Sequence, residues 1–383
     1  MQTVNIENQK AESIIRKCVH CGFCLATCPT YNLLGNELDS PRGRIYLIKS
    51  ALEKNEFTQN TMHHLDKCLT CRSCETTCPS GVEYGELIDI GRNLVESKRS
   101  IFEKFKRDSL RWFLTNRKLF PLLGRFFRHS SIKTPKLSPK KKSQKILLLS
   151  GCVQPTLAPN INHSVKNVLI RLGYNPIERI NGECCGAIDQ HLSANETALT
   201  KVKRNIDNWL IEGIDTIIST ASGCGVMVKD YPKLFDKNDP YYSKAEEISN
   251  KTKDIAEFLV NEDLSQLSTP KVKLNYHAPC TLQHGQQLPG IVESILTKLG
   301  YDLPDVYDAH MCCGSAGAYS TLQPKISKEL RNEKLKNLDD DQFELILTSN
   351  IGCLLHLQNG TKTPVKHWIE IFESHEKKKI SII

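Results

Sequence analysis

Two short runs, CVHCGFCLATCP and CLTCRSCETTCP, restrict what this chain can fold into more than any other feature. They set Cys18, Cys21, Cys24 and Cys28, and again Cys68, Cys71, Cys74 and Cys78, at the spacing C-x2-C-x2-C-x3-C-P. Three thiolates separated by two residues each wrap a loop over three iron corners, and the more distant fourth reaches a neighbouring cluster. The spacing therefore predicts two 4Fe-4S clusters, one on Cys18, Cys21, Cys24 and Cys78 and the other on Cys68, Cys71, Cys74 and Cys28. Soft thiolates also suit zinc, so a pair of structural zinc sites is the competing reading. All-cysteine zinc sites usually arrive as two separated pairs of ligands, which unbroken runs of four fit poorly. Pro29 and Pro79 turn the chain away from each run.

Between the runs, SPRGRIYLIKSALEK (40–54) reads as a helix with Ser40 as cap and Pro41 in its first turn. Arg42 and Arg44 carry two readings: they steady the negative charge of the clusters, or they face solvent and pair with carboxylates. His20 lies inside the first cysteine loop, where its neighbours already supply a full ligand set, so a solvent-facing side chain is expected.

Eight of the 16 cysteines fall between Cys18 and Cys78 and the others between Cys152 and Cys353, which gives two metal-binding regions. A length of 383 residues suits two or three domains. We expect a dicluster ferredoxin-like domain over 1–100, a basic amphipathic helical segment and linker over 101–145, and two α/β repeats over 146–265 and 266–383. The middle segment mixes Lys104, Lys106, Arg107, Arg111, Arg117 and Arg125 with Phe102, Phe105, Trp112, Phe113, Phe126 and Phe127. It reads as helix broken near Pro121, followed by the linker SSIKTPKLSPKKKSQK (130–145). Such a helix suits a peripheral contact with a membrane surface; docking on a partner or on the chain's own repeats is the stronger expectation.

The 39% of hydrophobic residues includes no run of about eighteen uncharged apolar residues, so no membrane span is expected. The start, MQTVNIENQK, has neither an apolar signal core nor twin arginines. A reducing cytoplasm is therefore expected, in which cysteines serve as metal ligands rather than disulfides. The net charge of +8 gathers in a few stretches and makes no case for nucleic acid.

Beyond residue 145, short apolar strands alternate with helical patterns. ILLLS (146–150), TIIST (216–220), KLNYH (273–277) and ELILTS (344–349) read as strands, and Ile161, Val165, Val168, Leu169 and Leu172 as one helix face. Alternation of this kind predicts largely parallel sheet with helical crossovers. The region is also duplicated. Cys184 lies 32 residues beyond Cys152 as Cys312 lies 32 beyond Cys280, and Cys224 lies 39 beyond Cys185 as Cys353 lies 40 beyond Cys313. Each repeat thus carries a strand-end cysteine, a Cys-Cys-Gly turn and a second strand-end cysteine, and ligands in open α/β sheets gather beyond the carboxyl ends of strands. Cys152, Cys184, Cys185 and Cys224, and Cys280, Cys312, Cys313 and Cys353, are therefore candidate cofactor ligands for one or two further iron-sulfur clusters. A vicinal redox disulfide, zinc, or mere core filling are the alternatives.

The repeats resemble the Cys-Cys-Gly domains of heterodisulfide reductase and its relatives, some of which hold non-cubane clusters. The motif of that family ends in C-x-x-C, whereas here Met227 and His356 stand in the last cysteine's place, leaving four thiolates per repeat. Over nearly its full length, through CVHCGFCLATCPTYNLLGNELDSPRGRIYLIK (18–49), CLTCRSCETTCPSGVEYGELIDIGR (68–92), GECCGA (182–187) and ASGCGVMVKDY (221–231), the chain resembles the iron-sulfur subunits of bacterial glycolate oxidases, also called glycolate dehydrogenases. Iron-sulfur subunits of lactate-utilisation and anaerobic glycerol-3-phosphate dehydrogenase systems are related alternatives, as is a catalytic heterodisulfide-type reductase.

What the resemblance implies is an α+β multidomain protein, a mostly helical dicluster ferredoxin-like domain followed by a duplicated α/β Cys-Cys-Gly domain. It also implies partners: FAD-containing 2-hydroxy-acid dehydrogenase subunits that oxidise the substrate, and a quinone or other acceptor downstream. The chain would then be cytoplasmic or peripheral on the cytoplasmic face of the inner membrane, and not catalytic alone. Consistent with that division, no G-x-G-x-x-G follows a strand and no catalytic residue can be singled out.

Overall fold

The computed structural model describes residues 2–116, 142–178, 184–210, 213–267, 269–340 and 342–372. From Gln2 to Thr115 the chain is helices and loops, with no strand among the described residues. The helices Gln2–Arg16, Pro41–Lys54, Gln59–Asp66 and Tyr84–Val95 bring Ile14, Ile45, Ile48, Leu65, Leu87 and Ile88 into one core. Pro41–Lys54 begins as its sequence predicts: the Ser40 side chain accepts from the Gly43 N–H, and Pro41 sits where no N–H partner is needed. Asn55 closes that helix in the left-handed conformation, at φ 48°.

The basic segment forms the helix Ile101–Thr115, opened by a capping box between Ser100 and Glu103. Its arginines face inward. Arg107 lies 3.6 Å from Asp66 and 3.9 Å from Glu96, and Arg111 lies 3.6 Å from Asp189 of the first repeat. Ile101, Phe102, Phe105 and Trp112 stay exposed. The helix thus rests on the chain's own body through charge rather than through its aromatic face, because recessed carboxylates need cationic partners. Arg117, Arg125, Phe126, Phe127, the break at Pro121 and the linker up to residue 141 lie outside the described residues; the last linker residue, Lys145, already belongs to a strand.

Each half beyond Lys142 builds a small parallel sheet. Strands β1 (Lys145–Leu148), β2 (Asn175–Glu178), β3 (Thr216–Ser219) and β4 (Thr252–Asp254) lie in the order β2-β1-β3-β4. Strands β5 (Leu274–His277), β6 (Leu345–Thr348) and β7 (Val365–His367) lie in the order β5-β6-β7. Leu147 pairs with Ile217 in the first sheet and Tyr276 with Leu347 in the second. Strands covered on both faces lose the polar alternation of half-exposed ones, and β3 and β5 are buried at every position. The four strands read from sequence form as β1, β3, β5 and β6. The short polar edge strands NPIE, TKD and VKH escape such a reading, since they bury too few side chains to show a pattern.

The helix Pro159–Arg171 buries Ile161, Val165, Val168 and Leu169, and Leu172 follows just beyond it, so the predicted face is the packed one. These residues share a single core with Tyr276, Ile346, Trp368 and Phe372 of the second repeat. Arg171 donates to the Phe372 carbonyl at 3.1 Å, and the His367 ring nitrogen lies 2.9 Å from the Thr220 carbonyl. Among the described residues, no helix is long and apolar enough to cross a membrane.

Candidate metal centres

The two cysteine runs fold alike. On either side of the middle cysteine the backbone takes positive φ: His20 (56°) and Gly22 (86°) around Cys21, Thr70 (53°) and Arg72 (61°) around Cys71. For a non-glycine residue that conformation costs roughly 1–2 kcal/mol, which the surrounding structure must offset. Cys18, Cys21, Cys24 and Cys78 line one cavity, with Ile45, Cys74 and Tyr84 beside them. Cys28, although it belongs to the first run, stands near enough to act on Cys71 and Cys74 of the second as well as on Cys24 of its own. Cys68 accepts from the Thr70 N–H at 3.4 Å and from the Tyr84 hydroxyl at 3.8 Å. Hydrogen bonds to sulfur of this kind tune the potential of an iron-sulfur centre. His20 is exposed, as expected.

The donor set fits iron-sulfur clusters. Burial pushes Cys24 up to about 11, with Cys18 and Cys28 adding to it. Burial also pushes Cys71 and Cys74 well above the usual thiol range. Thiols raised in this way become ligands only when a bound cation offsets the cost of the thiolate, which is how metal binding couples to ionisation. A single zinc ion would hold four thiolates about 3.8 Å apart, given Zn–S near 2.3 Å. Among the described residues, the one group of three metal-ligating side chains within 4.8 Å of one another lies elsewhere, in the second repeat.

Arg42 and Arg44 divide the two readings between them. Arg42 pairs with Glu37 at 2.7 Å and donates to the His20 carbonyl at 3.4 Å. Arg44, 1% exposed, donates to the His64 carbonyl at 2.8 Å and to Thr30 Oγ1 at 3.0 Å, and the charge field around it includes Cys68 and Cys28. Asp39, also 1% exposed, balances it at 3.8 Å while accepting from Lys67 at 2.8 Å and meeting His64 Nδ1 at 2.7 Å.

In the repeats, parallel strands carry the cysteines to one side. Cys152 follows β1, and Cys224 sits in the helix Ser222–Lys229 after β3. Cys280 follows β5, and Cys353 sits in the helix Ile351–Gln358 after β6. Each Cys-Cys pair ends in a left-handed glycine, Gly186 at φ 94° and Gly314 at φ 91°. Side-chain contacts link Cys152, Cys184, Cys185 and Cys224 in series. Cys280 and Cys312 Sγ lie 3.6 Å apart, and the series continues through Cys313 to Cys353. Within the first series, hydrogen bonds from Cys152 and Cys185 hold Cys184 well below the usual thiol range. Both repeats open on a shared cleft of about 1950 Å³, whose wall also includes Cys68 and Cys71. Met227 is buried, and His356 bonds Ser327 Oγ at 3.2 Å, so neither position taken by these residues in place of a cysteine is vacant.

The dicluster region and the second repeat meet at these thiols. Leu69, Cys280, Cys312, Tyr319 and Leu330 form one buried cluster with Cys71 packed against it. Thr76 Oγ1 lies 2.9 Å from His284 Nδ1, and Arg72 pairs with Asp230 of the first repeat. Sequence reasoning missed two further groups at the second site. Lys334, 4% exposed, donates to the Asp308 carbonyl at 2.6 Å, within the field of Cys313, Cys312 and Cys280. His277, 2% exposed, places a ring nitrogen within 4.8 Å of the sulfurs of Cys313 and Cys353. Its position three residues before Cys280 was the only available signal.

Residues 14–82 match the 4Fe-4S dicluster domain family, and residues 146–229 and 274–358 each match the family described as cysteine-rich domain. Fold and thiol placement together define an iron-sulfur protein with a helical dicluster domain joined to a duplicated cysteine-rich α/β domain. The chain is 45% identical to the glycolate oxidase iron-sulfur subunit of Escherichia coli (strain K12), over 96% of each chain. It belongs to that family of iron-sulfur subunits. It is also 29% identical to the probable glycolate oxidase iron-sulfur subunit of Bacillus subtilis (strain 168), over 91% of this chain and 89% of that one. Lactate utilization protein A of Bacillus subtilis (strain 168) is 24% identical over 60% of this chain and 99% of its own length.

Proposed function

We propose that this chain is the electron-transfer subunit of a flavin-dependent glycolate dehydrogenase, receiving electrons from FAD-containing subunits and delivering them to a quinone. The observation that carries the reading is the burial of Cys71 against Cys280 and Cys312, which joins the dicluster region to the second repeat through ligand-bearing residues. Iron-sulfur clusters, when bound, supply one-electron transfer without atom transfer. In this reading Cys18, Cys21, Cys24 and Cys78 hold one cluster and Cys68, Cys71, Cys74 and Cys28 the other. Cys152, Cys184, Cys185 and Cys224, and Cys280, Cys312, Cys313 and Cys353, hold further clusters. Arg44, Tyr84 and Lys334 set charge and hydrogen bonding around the sulfurs, and substrate oxidation belongs to the flavoprotein. The domain divisions at 100, 145 and 265 and a cytoplasmic site, peripheral to the inner membrane, belong to the same proposal.

Full-length similarity favours glycolate over lactate, because the lactate-utilisation relative matches only 60% of the chain. The test combines the anaerobically purified chain with its FAD-containing subunits and follows glycolate-dependent dye reduction, with lactate as a parallel substrate. The chain alone is expected to reduce nothing. A rate that does not rise when the chain is added counts against the proposal.

A further inference from the structure

We infer that His277 is an iron ligand of the second repeat, making that site a mixed nitrogen-sulfur centre while the first repeat remains all-sulfur. The inference rests on the reading that the repeats hold iron-sulfur clusters, and two independent observations carry it. A ring nitrogen of His277 and the sulfurs of Cys313 and Cys353 all lie within 4.8 Å of one another, close enough to share one iron. Separately, His277 is 2% exposed, yet its Nε2 has no hydrogen-bond partner among the described residues. Buried polar atoms are almost always satisfied, and an orphan ring nitrogen on a histidine that adjoins two thiols points to an ion.

The other ring nitrogen is already placed for this role. Nδ1 lies 3.0 Å from Thr348 Oγ1. Metal-bound histidines characteristically donate from the second nitrogen to such an oxygen, which fixes tautomer and ring orientation. The first repeat has neither part of the device. Leu149 stands three residues before Cys152, where His277 stands before Cys280. Ser219 stands five residues before Cys224, where Thr348 stands before Cys353, and it donates to the Ala221 carbonyl at 3.0 Å instead. Neutral imidazole adds no negative charge to a cluster, and imidazole in place of thiolate raises potential in Rieske-type centres. A thiolate in the place of His277 would accordingly make the second site harder to reduce.

The test uses full-length protein purified without oxygen, labelled with 15N at histidine only, and examined by pulsed EPR across a redox titration. One cluster species is expected to show a directly bonded histidine nitrogen. That coupling should disappear in His277→Cys, where a thiolate takes over the iron, and the midpoint potential of the same species should fall. His277→Leu, which copies Leu149 of the first repeat, should also lose the coupling. Signals of the two N-terminal clusters, unchanged in both variants, report an intact fold. Iron beyond about eight atoms per chain with no strongly coupled histidine in the unaltered protein overturns the inference alone, as does a coupling that survives either variant. Iron limited to about eight atoms overturns the cluster reading of the repeats and the inference with it.

Discussion

The hydroxyl of Tyr319, in the second repeat, donates to the main-chain carbonyl of Lys67, the residue that immediately precedes Cys68, at 3.0 Å. Tyr319 is 7% exposed and belongs to the same buried cluster as Cys280 and Cys312. One hydrogen bond therefore fixes the register between a cluster loop and a neighbouring repeat. Tyr319→Phe should lower stability by about 1 kcal/mol while leaving iron content unchanged. Urea unfolding with visible absorbance reads both quantities, and loss of iron at unchanged stability would contradict this account.

Asp39 joins the charges behind the first two clusters. Burial works to raise its carboxyl, but Lys67 and His64 outweigh burial and hold it below its usual 3.8. A carboxylate depressed in the folded state adds stability above its unfolded pKa and loses that contribution as pH falls through the folded value. Asp39→Asn leaves Arg44 buried without its countercharge, at a cost of about 3–5 kcal/mol. The deficit should be constant from pH 6 to 8 and shrink only below about pH 4. Unfolding curves at several pH values check it; a deficit that fades near neutrality would point to His64 instead.

Lys334 brings its amine to the second site, where it donates to the main-chain carbonyls of Asp308 and Ala309. In the first repeat the Lys201 amine acts on Cys184 but is tied to Asp189 at 2.7 Å, while Asn205 donates to the Cys184 carbonyl and Tyr231 to the Cys185 carbonyl, each at 3.0 Å. A nearby positive charge favours the reduced, more negative state of a cluster. Lys334→Met should therefore lower the potential of the second site and leave the first unmoved. Redox titration of the EPR signals decides it, and an equal shift in both would refute a local effect.

Gly314 and Gly186 share their backbone conformation but not their surroundings. A side chain on Gly314 would meet the Ser327 carbonyl at 2.6 Å, whereas on Gly186 its nearest neighbour is a methyl of Val202 at 3.3 Å. Both alanine variants bear the left-handed cost of about 1–2 kcal/mol; only Gly314→Ala must also displace backbone. Its thermal midpoint should fall further than that of Gly186→Ala, and equal losses would show that Ser327 yields freely.

Exchange of the fourth cysteine separates the two N-terminal clusters. Cys78→Ser should perturb the cluster on Cys18, Cys21 and Cys24, and Cys28→Ser the one on Cys68, Cys71 and Cys74. The EPR signals of the paired variants report the assignment. A Cys28→Ser protein that lost the cluster of its own run would reverse it.

The chain's own order of residues determined the two cysteine runs, the duplicated Cys-Cys-Gly halves, the four main strands and the capped helix at Ser40. Those features are local: ligand spacing, apolar runs and capping residues act within a few turns of backbone. Only the folded structure decided that Cys71 meets Cys280 and Cys312, that Arg107 and Arg111 turn inward while Phe102 and Trp112 stay out, and that His277 and Lys334 attend the second site. Such contacts join residues far apart in the chain. In a strand buried at every position, like β5, a ligating histidine has the same pattern as its apolar neighbours.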